Sequence, residues 1–260
     1  MHPVLFSLPN GFEIHVYGFL IALGALIAVG IASRWAVEEG FDKDLFADLG
    51  FWCIVAGVVG GRLEYIRVNA HQFQTVGQMI NVRDGGLVYY GGLIGVLAVF
   101  LLIVRKRKLP MLRVLDVMAP TLPFGIVMGR LGCLFSGCCY GHPTDLPWAI
   151  TFPLVDKGAA PPNIPLHPTQ LYEVGYGLAL FGLLWWMRRH KRFEGQIFLT
   201  FLSLYPILRS INELFRGDEA RGWFLEQALG QTLSNAQAIS IMVALVAAAG
   251  WAFLWRNARE

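Results

Sequence analysis

Seven stretches of this chain are mostly apolar and about 20 residues long, which is the length that an α-helix needs to cross a lipid bilayer. They cover residues 16–35, 46–66, 87–104, 114–134, 169–187, 195–214 and 236–255. Only 15% of all residues are charged, whereas a soluble domain carries roughly a quarter. The sequence therefore predicts an all-α membrane protein with about seven transmembrane helices, formed as a single membrane-embedded domain over residues 1–260.

The 21 lysine and arginine residues divide unequally between the two sides of such a bundle, with 13 on one side and 8 on the other. The larger group includes the tight cluster at 105–108. Because cytoplasmic loops carry the excess of these residues, we expect the N-terminus outside and the C-terminus in the cytoplasm. Small loop elements should lie on the outer side, the longest at about 136–168. The basic residues are too scattered to predict nucleic-acid binding.

The basic residues on the outer side are nearly all arginine, and several lie at predicted helix ends. A guanidinium offers a planar set of donors suited to phosphate, whereas an ammonium is a point charge. An arginine inside a membrane is costly unless an anion meets it, so these residues indicate an anionic ligand from the outer leaflet. The alternative is that each one reaches a lipid headgroup or pairs with Glu64, Asp84, Glu173 or Glu213.

Four polar or glycine-rich clusters lie on the predicted outer side. They are Tyr17-Gly18, residues 84–95 (DGGLVYYGGLIG), residues 129–142 (GRLGCLFSGCCYGH), and residues 167–173 (HPTQLYE) together with 212–216 (NELFR). Glycine pairs near the end of a span permit close approach of a ligand or of a neighbouring helix. Residues 129–142 combine Arg130 with three of the four cysteines, so we expect the chemistry in that cluster.

In their order along the chain, these motifs resemble those of the bacterial prolipoprotein diacylglyceryl transferases. The resemblance covers essentially the whole chain and is carried by residues 84–95, 129–141, 167–173 and 213–216. It implies an enzyme that transfers the diacylglyceryl group of phosphatidylglycerol to the lipobox cysteine thiol of a preprolipoprotein signal peptide, the first step of bacterial lipoprotein maturation. It also implies a multi-pass protein of the bacterial cytoplasmic (inner) membrane, in contact with membrane lipid, whose active site faces the periplasmic side.

The resemblance also implies roles for particular residues. Arg130 matches the family's phosphate-binding arginine, Arg216 its second essential arginine, and Tyr17 a functional tyrosine early in the first helix. The expected catalytic residues are Arg130, Arg216, Tyr90, Tyr17 and His167. The expected substrate-binding residues, besides the two arginines, are Gly91, Gly92, Gly132, Gly137, Gly141, Gln170, Glu173 and Glu213.

The chain differs from the better-known family pattern around these positions. Tyr90 stands where those members have histidine, and Cys133, Ser136 and Cys138 stand where they have Asn, Asn and Glu. We favour Tyr90 for orienting the lipid headgroup, and the base that activates the acceptor thiol stays open. The candidates are Tyr90, His142, His167 and Glu173.

The cysteines match no common zinc spacing, which predicts neither a metal nor another cofactor. Buried, reduced thiols are the expectation, with a disulfide on the oxidising outer side as the alternative. Two other functions compete with the transferase. One is a non-catalytic homologue that binds phosphatidylglycerol or lipoproteins, motivated by Tyr90 and Cys138. The other is a transporter or channel, which the lack of an inverted sequence repeat disfavours.

Overall fold

The computed structural model of the protein describes residues 4–7, 13–73, 75–81, 86–153, 160–217 and 234–257. Helices dominate these residues, and the strands are short. In chain order the elements are β1 (Val4–Ser7), β2 (Glu13–His15), α1 (Val16–Glu38), α2 (Leu45–Val68), a 3-10 turn (Ala70–Gln72), α3 (Val76–Ile80), α4 (Tyr89–Lys106), α5 (Met111–Met118), α6 (Thr121–Ser136), β3 (Ile150–Thr151), β4 (Pro165–Leu166), α7 (Thr169–Met187), α8 (Gln196–Glu213) and α9 (Asn235–Asn257).

Five helical segments among the described residues are long and apolar enough to cross a membrane, by length and composition. They are Val16–Glu38, Leu45–Val68, Tyr89–Lys106, Met111–Ser136 and Asn235–Arg256. Helices α7 and α8 coincide with the other two predicted stretches but contain several buried polar residues. The prediction of an all-α membrane protein is confirmed by the helix content and by these apolar helices. The number of spans, seven, stays a prediction. The strands form two antiparallel pairs, β1 with β2 and β3 with β4.

The segment predicted at 114–134 is interrupted at Pro120, whereas Pro123 lies in the first turn of α6. Helix α5 ends at Met118, and α6 begins at Thr121 directly after Pro120. Proline lacks an amide N–H and its ring clashes with the preceding turn, so it starts a helix well but cannot continue one. The Thr121 hydroxyl donates to the carbonyl of Met118 at 2.8 Å and so satisfies one of the groups that the break releases.

Contacts divide the chain into two compact units, one of residues 1–28 and 115–260, the other of residues 29–114. The boundaries fall inside α1 and α5. In the 29–114 unit, α2 packs against α4. A Cβ added at Gly91 would overlap the backbone of Gly60, and one at Gly92 would lie 3.1 Å from the carbonyl oxygen of Gly57. Helix packing therefore accounts for these two glycines, and a substrate contact at either stays a prediction.

Arg62 of the same unit is buried and binds main chain. Its guanidinium donates to the carbonyls of Met79 (2.7 Å), Gln78 (2.8 Å), Asn81 (2.6 Å) and Gly86 (3.1 Å). Each of these carbonyls lies outside a regular ladder, so the arginine replaces the missing backbone donors. This contact set fixes the connection between α2 and α4 and was not among the roles expected for outer arginines.

In the larger unit, α6 packs on α7, α7 on α8, and α8 on α9. A buried apolar cluster joins the helices, formed by Ala119, Leu180, Leu184, Ile197 and Phe201. Beside it, the buried carboxylate of Asp116 accepts backbone N–H groups at the start of α8. The donors are Gly195 (2.8 Å), Ile197 (3.0 Å) and Phe198 (3.0 Å). Asp116 thus caps α8 from a distant part of the sequence.

Asp116→Ala should lower thermal stability because it leaves three amides at the buried start of α8 without their acceptor. We expect a loss of about 2 kcal/mol. Thermal unfolding in detergent, followed by tryptophan fluorescence, measures this loss. Asp44→Ala is the matched control: Asp44 stands at the N-cap of α2, is exposed, and makes no side-chain capping bond. Equal shifts in the two variants would contradict a capping role for Asp116.

Candidate active site

Four helix ends meet in the larger unit and bring most of the expected site residues together. Tyr17 lies in the first turn of α1, and Arg130 in the second half of α6. Glu173 lies in the second turn of α7, and Glu213 ends α8. Because α6, α7 and α8 follow one another along the chain and pack together, the end of α6, the start of α7 and the end of α8 lie on the same side of the unit.

Arg130 and Glu173 form a buried ion pair. The Nε atom of Arg130 lies 2.9 Å from Oε2 of Glu173, and their side chains are 19% and 1% exposed. The carboxylate also accepts the Tyr205 hydroxyl at 3.1 Å and the Asn212 amide at 3.3 Å. These donors satisfy both oxygens of the buried carboxylate, as its burial requires. Glu173 therefore fixes the position and charge of Arg130.

Glu213 forms the second charged centre. Its carboxylate pairs with Arg209, one turn earlier on α8, and lies 3.7 Å from Nη1 of Arg216. The side chains of all three are largely buried. With the Arg130 pair, three guanidinium groups and two carboxylates of the described residues meet in a poorly solvated place. Such a site favours an anionic ligand.

A small hydrogen-bonded platform holds Arg216. The N–H of Gly141 donates to the carbonyl of His167 at 3.0 Å, and the N–H of His142 donates to that of Phe215 at 2.9 Å. Gly141 also bridges Arg216 in antiparallel fashion. A Cβ on Gly141 would overlap both His167 and the carbonyl oxygen of Phe215. The glycine therefore allows three loop segments, from 140–144, 165–167 and 215–217, to meet.

His167 lies on this platform at the edge of a cavity of about 370 Å³. Its Nδ1 is 3.0 Å from the hydroxyl of Tyr172, which accepts the indole N–H of Trp148 at 2.9 Å. The remaining lining is mainly apolar and comes from Leu146, Tyr176, Leu208, Ile211, Asn212 and Phe215. The cavity can therefore hold an apolar group beside a polar edge that carries a titratable imidazole.

The three cysteines of residues 129–142 form a cluster next to the arginines. Their sulfur atoms lie within 4.8 Å of one another, and none is in a disulfide. The pKa of the Cys139 thiol is lowered, chiefly by the neighbouring thiols of Cys133 and Cys138. The charges of Arg130 and Arg216 lower it further. Buried, inert thiols are the expectation from the sequence; in the structure Cys133 is buried, and Cys138 and Cys139 are only partly buried.

Glycines and an amide shape the same region. Gly137 ends α6 in the left-handed conformation, with φ of 65°. Gly132 packs on Tyr17, since an added Cβ would lie 2.9 Å from the Cδ2 of Tyr17 and 3.1 Å from its Cα. Gln170 is buried and donates its amide to the carbonyl of Cys138 at 2.7 Å. The structure thus gives Gln170 a partner in the protein, and a substrate contact for it stays a prediction.

The structure collects ten expected site residues in one unit. They are Tyr17, Arg130, Gly132, Gly137, Gly141, His167, Gln170, Glu173, Glu213 and Arg216. Tyr90, Gly91 and Gly92 belong to the 29–114 unit, where Tyr90 is exposed and packs edge-on against Tyr89. Residues 84 and 85 of that motif lie outside the described residues. A role for Tyr90 stays a prediction.

Two residues of the site were not expected. Arg209 could have been found, because it stands four residues before Glu213 and such pairs face each other on a helix. Tyr205, which donates to Glu173, carries no such signal. A tyrosine in the middle of an apolar helix is typical of ordinary core packing.

Comparison with known proteins points to one family. The family model for prolipoprotein diacylglyceryl transferase matches residues 3–253. The phosphatidylglycerol–prolipoprotein diacylglyceryl transferase of Clostridium tetani is 36% identical over 219 residues, which cover 84% of this chain and 86% of the relative. The enzyme of the same name from Bordetella bronchiseptica is 35% identical over 250 residues, covering 94% and 92%. That from Legionella pneumophila is 33% identical over 248 residues, covering 90% and 92%.

Proposed function

Because this chain belongs to the prolipoprotein diacylglyceryl transferase family, we propose that it moves the diacylglyceryl group of phosphatidylglycerol to the lipobox cysteine of a preprolipoprotein signal peptide. The observation that carries the proposal is the buried group of three arginines and two carboxylates. The reaction is the first step of bacterial lipoprotein maturation.

This transfer forms a carbon–sulfur bond and breaks a carbon–oxygen bond. The acceptor thiolate attacks the glyceryl carbon that bears the phosphate, and the electron pair of the broken bond stays on the phosphate oxygen. The phosphodiester carries one negative charge, and the glycerol phosphate that leaves gains a second. Fixed guanidinium groups in a site with little water stabilise this growing charge without having to reorganise.

The contacts of the charged residues support a division of roles. Arg130 and Arg216 bind the phosphate, and Glu173 and Glu213 hold the two guanidinium groups in position. His167 is the leading candidate for the base, since its imidazole lies at the edge of the apolar cavity. Tyr17 borders the site through Gly132. Tyr90 orients the lipid headgroup.

The topology that fits this reaction has seven spans in the bacterial inner membrane, with the N-terminus outside and the C-terminus in the cytoplasm. The basic cluster at 105–108 follows α4, and that at 188–192 separates α7 from α8. With both clusters in the cytoplasm, the start of α1, the end of α6, the start of α7 and the end of α8 all face outward. Those four ends carry the charged site, so phosphatidylglycerol and the signal peptide reach it from the periplasmic side.

A reconstituted transfer reaction tests the function. The purified protein, in detergent with phosphatidylglycerol and a synthetic lipobox peptide, should raise the mass of the peptide by one diacylglyceryl group. A peptide with serine in place of the cysteine should stay unmodified. Depletion of the resident transferase in a bacterial strain, followed by expression of this chain, should restore lipid labelling of a prolipoprotein.

The same assay distinguishes the transferase from the competing, non-catalytic function. A folded, membrane-inserted protein that binds phosphatidylglycerol but never modifies the peptide would be a non-catalytic homologue. That outcome is the one that the Tyr90 and Cys138 differences from the better-known members would favour.

Gly132→Ala should lower transfer by roughly 10- to 100-fold, because the new methyl group would push Tyr17 and the start of α1 away from α6. Initial rates with the lipobox peptide measure the effect. Gly129→Ala is the matched control, since a Cβ at Gly129, three residues earlier on the same helix, meets nothing within 4 Å. Equal rates in the two variants would show that transfer does not depend on the contact between Tyr17 and Gly132.

A further inference from the structure

The sulfur atoms of Cys133, Cys138 and Cys139 are close enough together to share one metal ion. All three lie within 4.8 Å of one another, and no other such group of His, Cys, Asp or Glu occurs in the described parts of the chain. A tetrahedral zinc ion with Zn–S bonds of about 2.3 Å holds its sulfurs about 3.8 Å apart. Movements of about 1 Å or less would therefore bring the three thiols to bonding distance.

The loop that carries these thiols is held in an unusual conformation. Cys139 has a φ of 60°, a left-handed backbone conformation that residues other than glycine rarely adopt. Two buried side chains of α7 fix the loop: Gln170 donates to the carbonyl of Cys138 at 2.7 Å, and Thr169 donates to that of Cys139 at 2.6 Å. The strained residue turns back toward Cys133, and this is why spacing along the sequence gave no sign of the cluster.

Three thiolates around a divalent zinc ion carry a net charge of minus one. Arg130 lies three residues before Cys133 on α6, and Arg216 bridges Gly141, two residues after Cys139, so this excess negative charge has cations beside it. Soft thiolate ligands select zinc or copper(I) over magnesium or calcium. Structural zinc sites have four protein ligands, whereas three protein ligands leave a fourth position for water or substrate. Three thiols beside the phosphate-binding arginines thus have the composition of a catalytic zinc site.

We propose that Cys133, Cys138 and Cys139 bind a zinc ion whose fourth position takes the acceptor thiol of the lipoprotein. The proposal rests on the proposed function, and it adds to the candidate base a second means of activating the acceptor thiol. On binding zinc, the acceptor thiol is deprotonated, because a coordinating thiol loses its proton outright, and the proton passes to the candidate base His167. The sulfur lone pair then attacks the glyceryl carbon, the carbon–oxygen bond breaks toward phosphate, and zinc changes neither charge nor oxidation state.

Metal analysis of the full-length protein in detergent tests the site without reference to activity. We expect one zinc per chain. Replacement by cobalt(II) should give a sulfur-to-cobalt charge-transfer band in the near ultraviolet. Cys133→Ser, Cys138→Ser and Cys139→Ser should each weaken the affinity by at least about 10-fold. Cys53→Ser is the matched control, since Cys53 is also buried but is not in the cluster, and it should bind cobalt as the parent does.

Transfer assays then test the role of the metal. Protein stripped by a chelator should lose transfer at least about 100-fold and regain it with zinc, and phosphatidylglycerol binding should be unchanged. Full transfer by stripped protein would overturn the inference and leave the proposed function intact. A disulfide within the cluster in the purified, active enzyme would also overturn it. Zinc-loaded protein that binds phosphatidylglycerol without modifying the peptide would instead overturn the proposed function.

Discussion

Arg130→Ala will reduce diacylglyceryl transfer by about 1,000-fold, the loss expected when one fixed donor to a developing anion is removed from a poorly solvated site. The residue belongs to a buried pair, with Glu173 at 2.9 Å and 1% exposed. Arg130→Lys keeps the positive charge but not the planar fork of donors, and we expect a loss of about 100-fold. Initial rates with the lipobox peptide measure both variants.

A loss of transfer caused by unfolding must be distinguished from one caused by the missing phosphate contact. The distinction matters because Arg130→Ala also leaves the Glu173 carboxylate buried without its cation. The lysine variant separates the two effects, since it should unfold at nearly the parent temperature and still transfer poorly. Arg67→Ala is the matched control. Arg67 pairs with Glu64 at 2.6 Å, but its side chain is 72% exposed. An exposed pair contributes little to stability, so Arg67→Ala should unfold and transfer as the parent does. Normal transfer by Arg130→Lys would refute phosphate binding by Arg130.

Glu213→Gln is the second variant with a large expected effect. It removes the carboxylate shared by Arg209 and Arg216 and leaves two buried guanidinium groups facing each other. Removing one partner of a buried charge pair costs about 3–5 kcal/mol. We expect a clearly lower unfolding temperature in detergent and transfer reduced by about 100-fold or more, since displaced positioning groups cost that much.

A second substitution shows which part of the Glu213→Gln loss is electrostatic. Adding Arg209→Met removes one of the two opposed charges, so the double variant should recover much of the stability. Arg216, which the proposal places on the phosphate, remains in that variant, and part of the transfer should return with it. Glu64→Gln, at a partly buried carboxylate of the 29–114 unit, should change neither property. Additive effects of the Glu213 and Arg209 substitutions would show that the two residues are not coupled.

The sequence was sufficient to locate the long helices, because each lies in an apolar segment of about 20 residues, whereas the short helix α3 was not predicted. The predicted stretch 169–187 coincides with α7, and the break at Pro120 lies where proline chemistry puts it. The charged pairs were also foreseeable in part. Glu64, Glu173 and Glu213 were named as alternative partners for outer arginines, and each pairs with at least one.

Other features depend on contacts between segments far apart in the sequence. Arg62 binds four carbonyls of a connection 16–24 residues away, so its role follows from the path of that connection. Asp116 caps α8 from about 80 residues away. The cysteine cluster depends on one left-handed residue, Cys139, and no property of cysteine predicts that conformation. The sequence spacings that identify zinc-binding cysteines apply to a few regular loop geometries. They do not apply to this loop, because its backbone is irregular at Cys139.

The larger unit joins residues 1–28 to residues 115–260, and this has a consequence for biosynthesis. Tyr17 is synthesised more than 100 residues before its neighbour Gly132. At about 5–20 residues per second, the ribosome needs several seconds to produce that partner. Arg216 comes later still. The start of α1 must therefore wait for α6, and the group of charged residues is complete only after α8 and residues 215–217 have been synthesised.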